Sequence, residues 1–421
     1  MILRAIERRI QPYISPRWIE MLRVQKYRRI RVSKLNKNNE ITQLFLDLSV
    51  ISKSDAGTGI QRVTRSIACE LLKKEQKSFL IQTVRADRKN PFHIFKWGND
   101  DNNECIQKIL RGKSGDIFLG LDYSLTLVCK YKKQLYEFKK RGGKIWFVVH
   151  DLLPIQYPRW FSDSTVVRYR KWLRTIASLG DGFLCVSEVT EKELRKEFSA
   201  RYALDSGFET AILPLGWDLS SAYTSHGISP DLAKLISTIA NKSSVLMVGT
   251  IEPRKGHADI LSAFDLLWGA NYDCSLIIVG KPGWKTSELQ ERIQIHEEFG
   301  HRLFWIQDAS DEALIGLYKT CNGMIMASYA EGFGLPMIEA IGYGKPVLAR
   351  DIPVFRSFVK YGRVSYFDSD STSTELANSI QMWIEKNNSS KIQDHNYAQL
   401  NSWDFVAETV LSILRLNNNE R

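Results

Sequence analysis

Short runs of branched and aromatic apolar residues, each ending in glycine or a polar turn and most followed by a stretch of helical period, recur along most of this chain. The first group is Leu44–Leu48, Phe79–Val84, Asp116–Gly120, Ile145–Val149, Gly182–Val186 and Ala211–Leu213. A second group follows at Ser244–Gly249, Leu276–Val279, Leu303–Gln307, Met324–Ala327 and Val347–Ala349. Strands that alternate with helices build parallel sheets covered on both faces, so the fold class is α/β. The polar run Ser220 to Pro230 divides the two groups, and 421 residues suffice for two ordinary cores. The expected organisation is an arm over 1–40, a domain over 41–219, a linker over 220–230, a second domain over 231–398 and a closing amphipathic helix within 399–421. Residues between Ala349 and Asp370 look less regular, with a helix near Thr374 to Glu385 after them.

With 44% hydrophobic and 25% charged residues the composition is globular. Cys69, Cys105, Cys129, Cys185, Cys274 and Cys321 form no close pair, which points away from a zinc cluster or disulfide scaffold and toward a reducing, cytoplasmic setting. The net charge of +11 is concentrated: residues 1–40 hold eleven Lys or Arg against Glu7, Glu20 and Glu40. No apolar run is long enough to span a bilayer, and Arg4, Arg8 and Arg9 interrupt any signal-peptide core. Ile2, Leu3, Ile6, Ile10, Trp18, Ile19, Met21 and Leu22 interleave with those basic residues. This pattern suits either an anionic membrane surface, at the inner face of the plasma membrane, or a helix packed on the protein. No nucleic-acid-binding module accompanies the charge, so nucleic acid is not an expected partner.

Chemistry concentrates in residues 328–346. After the strand Met324–Ala327, Gly332 and Gly334 free the backbone and Pro336 suits the first position of a helix ending near Gly344. Exposed N–H groups at such a start bind anions, here through Gly334 and Leu335. Glu331 and Glu339 beside an anion site imply a ligand that also carries neutral hydroxyls, as a sugar does. In Thr250–His257, Arg254 and Lys255 leave a strand end in a turn. Arg bonds phosphate oxygens bidentately and Lys adds a mobile charge.

The segment Ser54–Gly59 is a glycine turn before a helix whose Ile60, Val63, Ile67, Ala68 and Leu71 share one face. Gln61, Arg62 and Arg65 lie off it. His150 and Asp151 stand at a strand's carboxyl end, where open α/β sheets bind ligands. Ser187 and Ser310 are placed as helix N-caps. No Asp-x-Asp pair suggests a metal, and no cofactor is expected.

The run Glu331-Gly-Phe-Gly-Leu-Pro-Met-Ile-Glu339 resembles the nucleotide-binding signature of retaining glycosyltransferases of family 4, as does Pro253-Arg-Lys-Gly256. The resemblance covers about residues 42 to 415. It implies the GT-B fold, two facing Rossmann-like domains with the active site in the cleft between them, and a last helix crossing back onto the first domain. It further implies that Glu331 meets the donor sugar, Glu339 the nucleotide ribose and Lys255 the diphosphate. Gly57-Thr58-Gly59-Ile60 stands where the family has a Gly-Gly-Ile/Val loop under the donor phosphate, with Thr58 as an insertion. Gly59 is carried over to the diphosphate, while Gly57, Arg62 and Asp151 are possible acceptor or donor contacts. Many members carry an Arg directly after the strand glycine where this chain has Thr250, a charge that Arg254 would supply.

His150-Asp-Leu-Leu-Pro is similar to a run in bacterial polysaccharide mannosyltransferases of that family, whose histidine contacts the donor sugar. The implied reaction is transfer of a sugar, mannose from GDP-mannose before a UDP-sugar or dTDP-rhamnose, to a lipid-linked or polysaccharide acceptor in surface glycan synthesis. Nucleotide base contacts would run through backbone near Gln307. Two rivals share the fold: an epimerase, for which His150 alone is a good acid or base, and a non-catalytic nucleotide-sugar-binding subunit.

Overall fold

A computed structural model of the chain describes residues 16–28, 41–55, 57–74, 79–98, 108–219, 227–389 and 400–416. They form two compact units. Unit 1 takes in Met1–Pro158, Ser162–Pro214 and Asp404–Arg421; unit 2 takes in Arg159–Phe161 and Leu215–Trp403.

Unit 1 is built on strands β1 (Thr42–Asp47), β2 (Phe79–Arg85), β3 (His93–Ile94), β4 (Ile117–Gly120), β5 (Lys144–Val149), β6 (Gly182–Cys185) and β7 (Glu209–Ile212). Their spatial order is β3-β2-β1-β4-β5-β6-β7. All neighbours are parallel except β2 and β3, where Val84 faces Ile94 and Arg85 faces His93. The expectation of a wholly parallel sheet fails at that edge because a two-residue strand reached by a seven-residue loop, too short for a crossover, can only run back along β2. Every residue of β4 and β6 is buried, as strands covered on both faces require. Stacked and edge-on rings of Phe92, Phe118, Phe138, Phe147, Phe183 and Phe198 fill the core.

Unit 2 holds β8 (Ser244–Val248), β9 (Ser275–Val279), β10 (Leu303–Ile306), β11 (Gly323–Met326), β12 (Val347–Arg350) and β13 (Val364–Phe367). The order is β10-β9-β8-β11-β12-β13, parallel throughout. Strand β13 lies in the segment expected to be irregular; it is a four-residue edge strand with only Phe367 buried, too short and polar to signal itself. The helix after β9 runs from Ser287 to Gln294, where the chain turns and His296 Nδ1 accepts the Glu298 amide proton. Both sheets reverse direction beside their first strand, between β1 and β4 and between β8 and β11. Ligands of open α/β sheets bind outside the carboxyl ends at such points.

Within the basic arm, residues 1–15 and 29–40 lie outside the described residues. The rest is a helix, Pro16–Arg28, packed on helices Asp163–Leu179 and Glu188–Tyr202. Val24 is fully buried. Arg28 donates to the carbonyls of Ala177 (2.6 Å), Gly180 (3.1 Å) and Gly207 (2.5 Å), and Arg174 reaches Glu20 at 2.6 Å. Burial lowers the Arg28 pKa and Asp181 opposes that. The described part of the arm is thus a piece of unit 1, not a separate domain, because its apolar stripe finds two helices to cover. Trp18 and Leu22, one turn apart, stay 58% and 50% exposed. Of the linker, residues 220–226 lie outside the described residues and Pro230 opens helix Pro230–Ile239, capped by Ser229.

Candidate functional site

At the reversal point of unit 2, β8 runs into a 3-10 turn at Pro253–Lys255, and Gly256 closes it in the left-handed region at φ 72°. The turn is held down from below: a β-carbon on Gly256 would stand 2.3 Å from the Ala327 carbonyl oxygen at the end of β11. This close approach brings Arg254 and Lys255 beside the loop after β11. Glu331 receives both. Arg254 Nη1 donates to its Oε2 at 2.8 Å, Lys255 Nζ to its Oε1 at 2.5 Å, and Ser328 Oγ to the same Oε1 at 2.7 Å. Arg254 also meets Glu252 at 2.7 Å, and the Tyr329 amide bonds its carbonyl.

Two cations and two carboxylates therefore form one neutral network, with side-chain exposures of 15% for Arg254, 12% for Lys255, 4% for Glu252 and 9% for Glu331. Burial raises the Glu331 pKa, but Arg254, Lys255 and the hydrogen bonds outweigh it and hold the carboxyl down at about 2. The sequence reading separates the sugar carboxylate from the phosphate clamp. In the structure they are bonded, so any anion that reached these two cations would compete with Glu331 for the same donors. Glu252 escaped the sequence reading because a carboxylate one residue before a proline carries no signal of its own.

Beyond Glu331 the chain reaches Gly334, at φ 109°, and helix Leu335–Gly342. Pro336 takes the second helical position, where its missing N–H is equally harmless, and Leu335 the first. Glu339 is 1% exposed and accepts from the Tyr318 hydroxyl at 2.7 Å. Its placement one turn into the helix matches the sequence reading, but one of its oxygens is already engaged.

In unit 1, helix Gly59–Leu72 starts after β1. Thr58, the inserted residue, is its N-cap: Oγ1 accepts from the Gln61 amide, the Gln61 side chain reaches back to the Thr58 amide, and Gln61 Nε2 donates to the Ser54 carbonyl at 2.8 Å. The insertion thus builds a capping box. Gly57, at φ 67°, is the residue whose backbone needs glycine, whereas Gly59 is simply the first helical residue. Arg62 is half-buried on that helix, and Arg65 pairs with Asp55.

His150 directly follows β5 at 9% exposure, its Nε2 without a hydrogen bond, and burial pushes its pKa down to about 4. It is a neutral imidazole at pH 7. Asp151 caps the turn after it, accepting from the Leu153 amide at 3.1 Å, while Tyr169 bonds its carbonyl. Asp47, at the end of β1, is fully buried and accepts from Ser49 and Ser124 hydroxyls, both at 2.5 Å. Burial and the nearby Asp122 raise its pKa to about 7. Asp122 in turn accepts from the amides of Val50, Ile51 and Tyr123, so the pair shapes the loop that leads to Gly57. Among the described residues no cluster of His, Cys, Asp and Glu is arranged to hold a metal ion.

Residues 236–399 match the family model for glycosyl transferases group 1. The chain is 33% identical over 385 residues to the serotype-specific mannosyltransferase WbdA of Escherichia coli, an alignment covering 88% of this chain and 46% of WbdA. An O-antigen chain mannosyltransferase B, also from Escherichia coli, is 28% identical over 208 residues, covering 48% of this chain and 52% of that one. The chain thus spans about half the length of these relatives. Among solved structures, Anabaena HepE in complex with UDP-glucose superposes with a TM-score of 0.60 at 18% identity, covering 90% of this chain and 100% of HepE. With two Rossmann-like units and such neighbours, the fold is GT-B. The chain carries, over residues 236–399, a domain of the group 1 glycosyltransferases.

Proposed function

We propose that this chain is a retaining mannosyltransferase that moves mannose from GDP-mannose to a lipid-linked or polysaccharide acceptor in bacterial surface glycan synthesis. One observation carries the reading: Arg254, Lys255 and Glu331 meet at the reversal point of a nucleotide-type sheet, in a chain whose relatives include mannosyltransferases. In this reading Arg254 and Lys255 pass from Glu331 to the donor diphosphate. They stabilise the charge that grows on the leaving nucleotide as the bond to the sugar breaks. Released from the cations, the Glu331 carboxylate accepts from a sugar hydroxyl. Amides of Gly334 and Leu335 add to the phosphate site, and Glu339 takes the ribose through its remaining acceptor capacity. His150, held neutral, is assigned to the donor sugar, and the diphosphate takes the acceptor's proton. No step requires a metal; loss of activity with a chelator would overturn that part.

A UDP-sugar donor is the second reading, favoured by the likeness of the fold to HepE in complex with UDP-glucose. A panel of GDP-mannose, UDP-glucose, UDP-GlcNAc and dTDP-rhamnose, read by thermal shift and by nucleotide release, separates the readings. GDP-mannose alone should stabilise the protein and release nucleotide when acceptor is added. His150→Ala should keep the thermal shift and lose on the order of 100-fold in release. Stabilisation without release from any donor would favour a binding subunit instead.

We assign the chain to the inner membrane surface as a peripheral protein. Trp18 and Leu22 stand exposed among Arg17, Arg23 and Lys26 on the outer side of a helix anchored by Arg28. No described helix is long and apolar enough to cross a membrane. Flotation with vesicles containing anionic lipid should recover the wild type, and Trp18→Ala combined with Leu22→Ala should weaken that by roughly tenfold or more, since full burial of the two side chains would contribute about 3–6 kcal/mol and partial insertion a fraction of that. Equal flotation of the two proteins would sink the assignment.

A further inference from the structure

Unit 2 carries a second polar groove on the other side of its sheet edge. Helices Asp311–Thr320 and Leu335–Gly342, with Tyr318 bonded to Glu339, lie on one face. Helices His257–Gly269 and Ser373–Ser389 pack together on the opposite face. On that second face two cavities open, of about 550 and 260 Å³, with Asp259 and Tyr329 forming a wall common to both. The larger lies within the size range of small-ligand sites. One of its sides is the reverse of the clamp turn, through Glu252, Pro253 and Gly256.

Four carboxylates, Glu252, Asp259, Glu288 and Asp370, face this groove against two cations, Arg350 and Lys285. Both cations are engaged. Arg350, 3% exposed, donates to the Ala327 carbonyl at 2.9 Å, to the Ser369 carbonyl at 2.6 Å and to Asp259. Lys285 donates to the carbonyls of Arg159 and Phe161, each at 2.8 Å. An anion is therefore repelled. Tyr329 offers a ring 41% exposed, with the Arg350 guanidinium over one face at 3.9 Å and its hydroxyl fixed on Asp259 at 2.7 Å, which leaves the exposed part of the ring for a ligand. His257, 2% exposed, lines the larger cavity with neither ring nitrogen hydrogen-bonded, a cost that a native interior seldom leaves standing. Carboxylates that accept from hydroxyls, an aromatic face and a neutral imidazole are what a polyhydroxylated ligand needs, and a groove of two cavities in series suits a chain of several sugar rings.

We propose that this groove binds a neutral saccharide chain, the growing glycan, apart from the donor site. The identity of that ligand rests on the glycosyltransferase reading. A polymer held there stays on the enzyme between additions, on the side of the clamp turn away from the nucleotide.

The test is calorimetric titration of the full chain with α-linked mannotetraose and, separately, with GDP. Glu288→Lys and Asp370→Lys change exposed side chains that touch no part of the clamp. Each should weaken mannotetraose binding about tenfold or more, equivalent to roughly 1.4 kcal/mol, and leave GDP affinity as it is. Mannotetraose that fails to bind the wild type, that binds both variants equally, or that is displaced by inorganic phosphate would overturn the proposal. An equal loss of GDP affinity would also overturn it, since the groove would then belong to the donor site. A chain that binds the saccharide in this variant-sensitive way yet neither binds nor consumes any nucleotide sugar would refute the transferase reading and leave the groove standing. Nucleotide release with variant-insensitive saccharide binding would do the reverse.

Discussion

Glu331→Gln should bind GDP more tightly than the wild type while transferring sugar about 100- to 1000-fold more slowly, the loss typical of removing one preorganised polar contact at a reacting centre. The two changes run in opposite directions because the carboxylate has two roles. It neutralises Arg254 and Lys255, at 2.8 and 2.5 Å, and in the proposed reaction it would therefore compete with an incoming diphosphate. In the proposed reaction it also holds the donor sugar. Removing the charge frees the clamp and disarms the transfer.

The same substitution leaves one buried positive charge uncompensated, since Glu252 still pairs with Arg254, and this costs on the order of 3–5 kcal/mol of stability. The pH dependence gives an independent reading. The Glu331 pKa is lowered from its ordinary 4.5 to about 2, so the folded state binds its proton more weakly than the unfolded chain does. The stability it contributes, about 3 kcal/mol by linkage, is complete above pH 4.5 and is lost as pH falls through 2. Urea titrations between pH 7 and 3 should show that acid slope in the wild type and a shallower one in the variant. GDP affinity that falls along with turnover would reject the competition.

Gly256→Ala is expected to lose about 3 kcal/mol of stability and most donor affinity together. A β-carbon there meets the Ala327 carbonyl oxygen at 2.3 Å, and φ of 72° adds strain of about 1–2 kcal/mol for a residue with a side chain. Relief requires the turn to lift off β11, which carries Arg254 and Lys255 away from Glu331. Gly269→Ala is the control: nothing lies within 4 Å of its added carbon, and helix propensity favours alanine by up to about 1 kcal/mol. Thermal denaturation and GDP titration of both variants test this. A Gly256→Ala protein as stable as wild type would show that the close approach does not hold the clamp.

The alternation of apolar runs and helical stretches was enough to read two parallel sheets, because strands buried on both faces must be continuously apolar and helices between them must be amphipathic. What periodicity could not show was β3 and β13, edge strands of two and four residues with little to bury. Candidate site residues stood out where a residue type is costly without a purpose: Arg254 and Lys255 in a turn, two glutamates around a glycine loop, a histidine at a strand end. Partnership was not legible. That Glu331 closes on the clamp depends on the contact between Gly256 and Ala327, residues far apart in sequence. Thr58 reads as a departure from a motif until its hydroxyl is seen capping the next helix. Glu252, Asp259 and Tyr329 gain meaning only when folding sets their side chains around one space.

Trp403 is almost wholly buried, its indole donates to the Asp218 carbonyl at 2.9 Å, and its ring lies over Gly216. The segments that enter and leave unit 2 are thereby fastened to each other. The next residues, Asp404 and Glu408, pair with Lys74 at 2.7 and 2.9 Å, and Val406, Val410 and Leu411 are buried in unit 1. Unit 2 is in effect inserted into unit 1, and this reverses the usual order of completion on the ribosome, in which the domain made first is finished first. All of unit 2 has been synthesised once Trp403 is added. Unit 1, begun earlier, waits for the helix that follows.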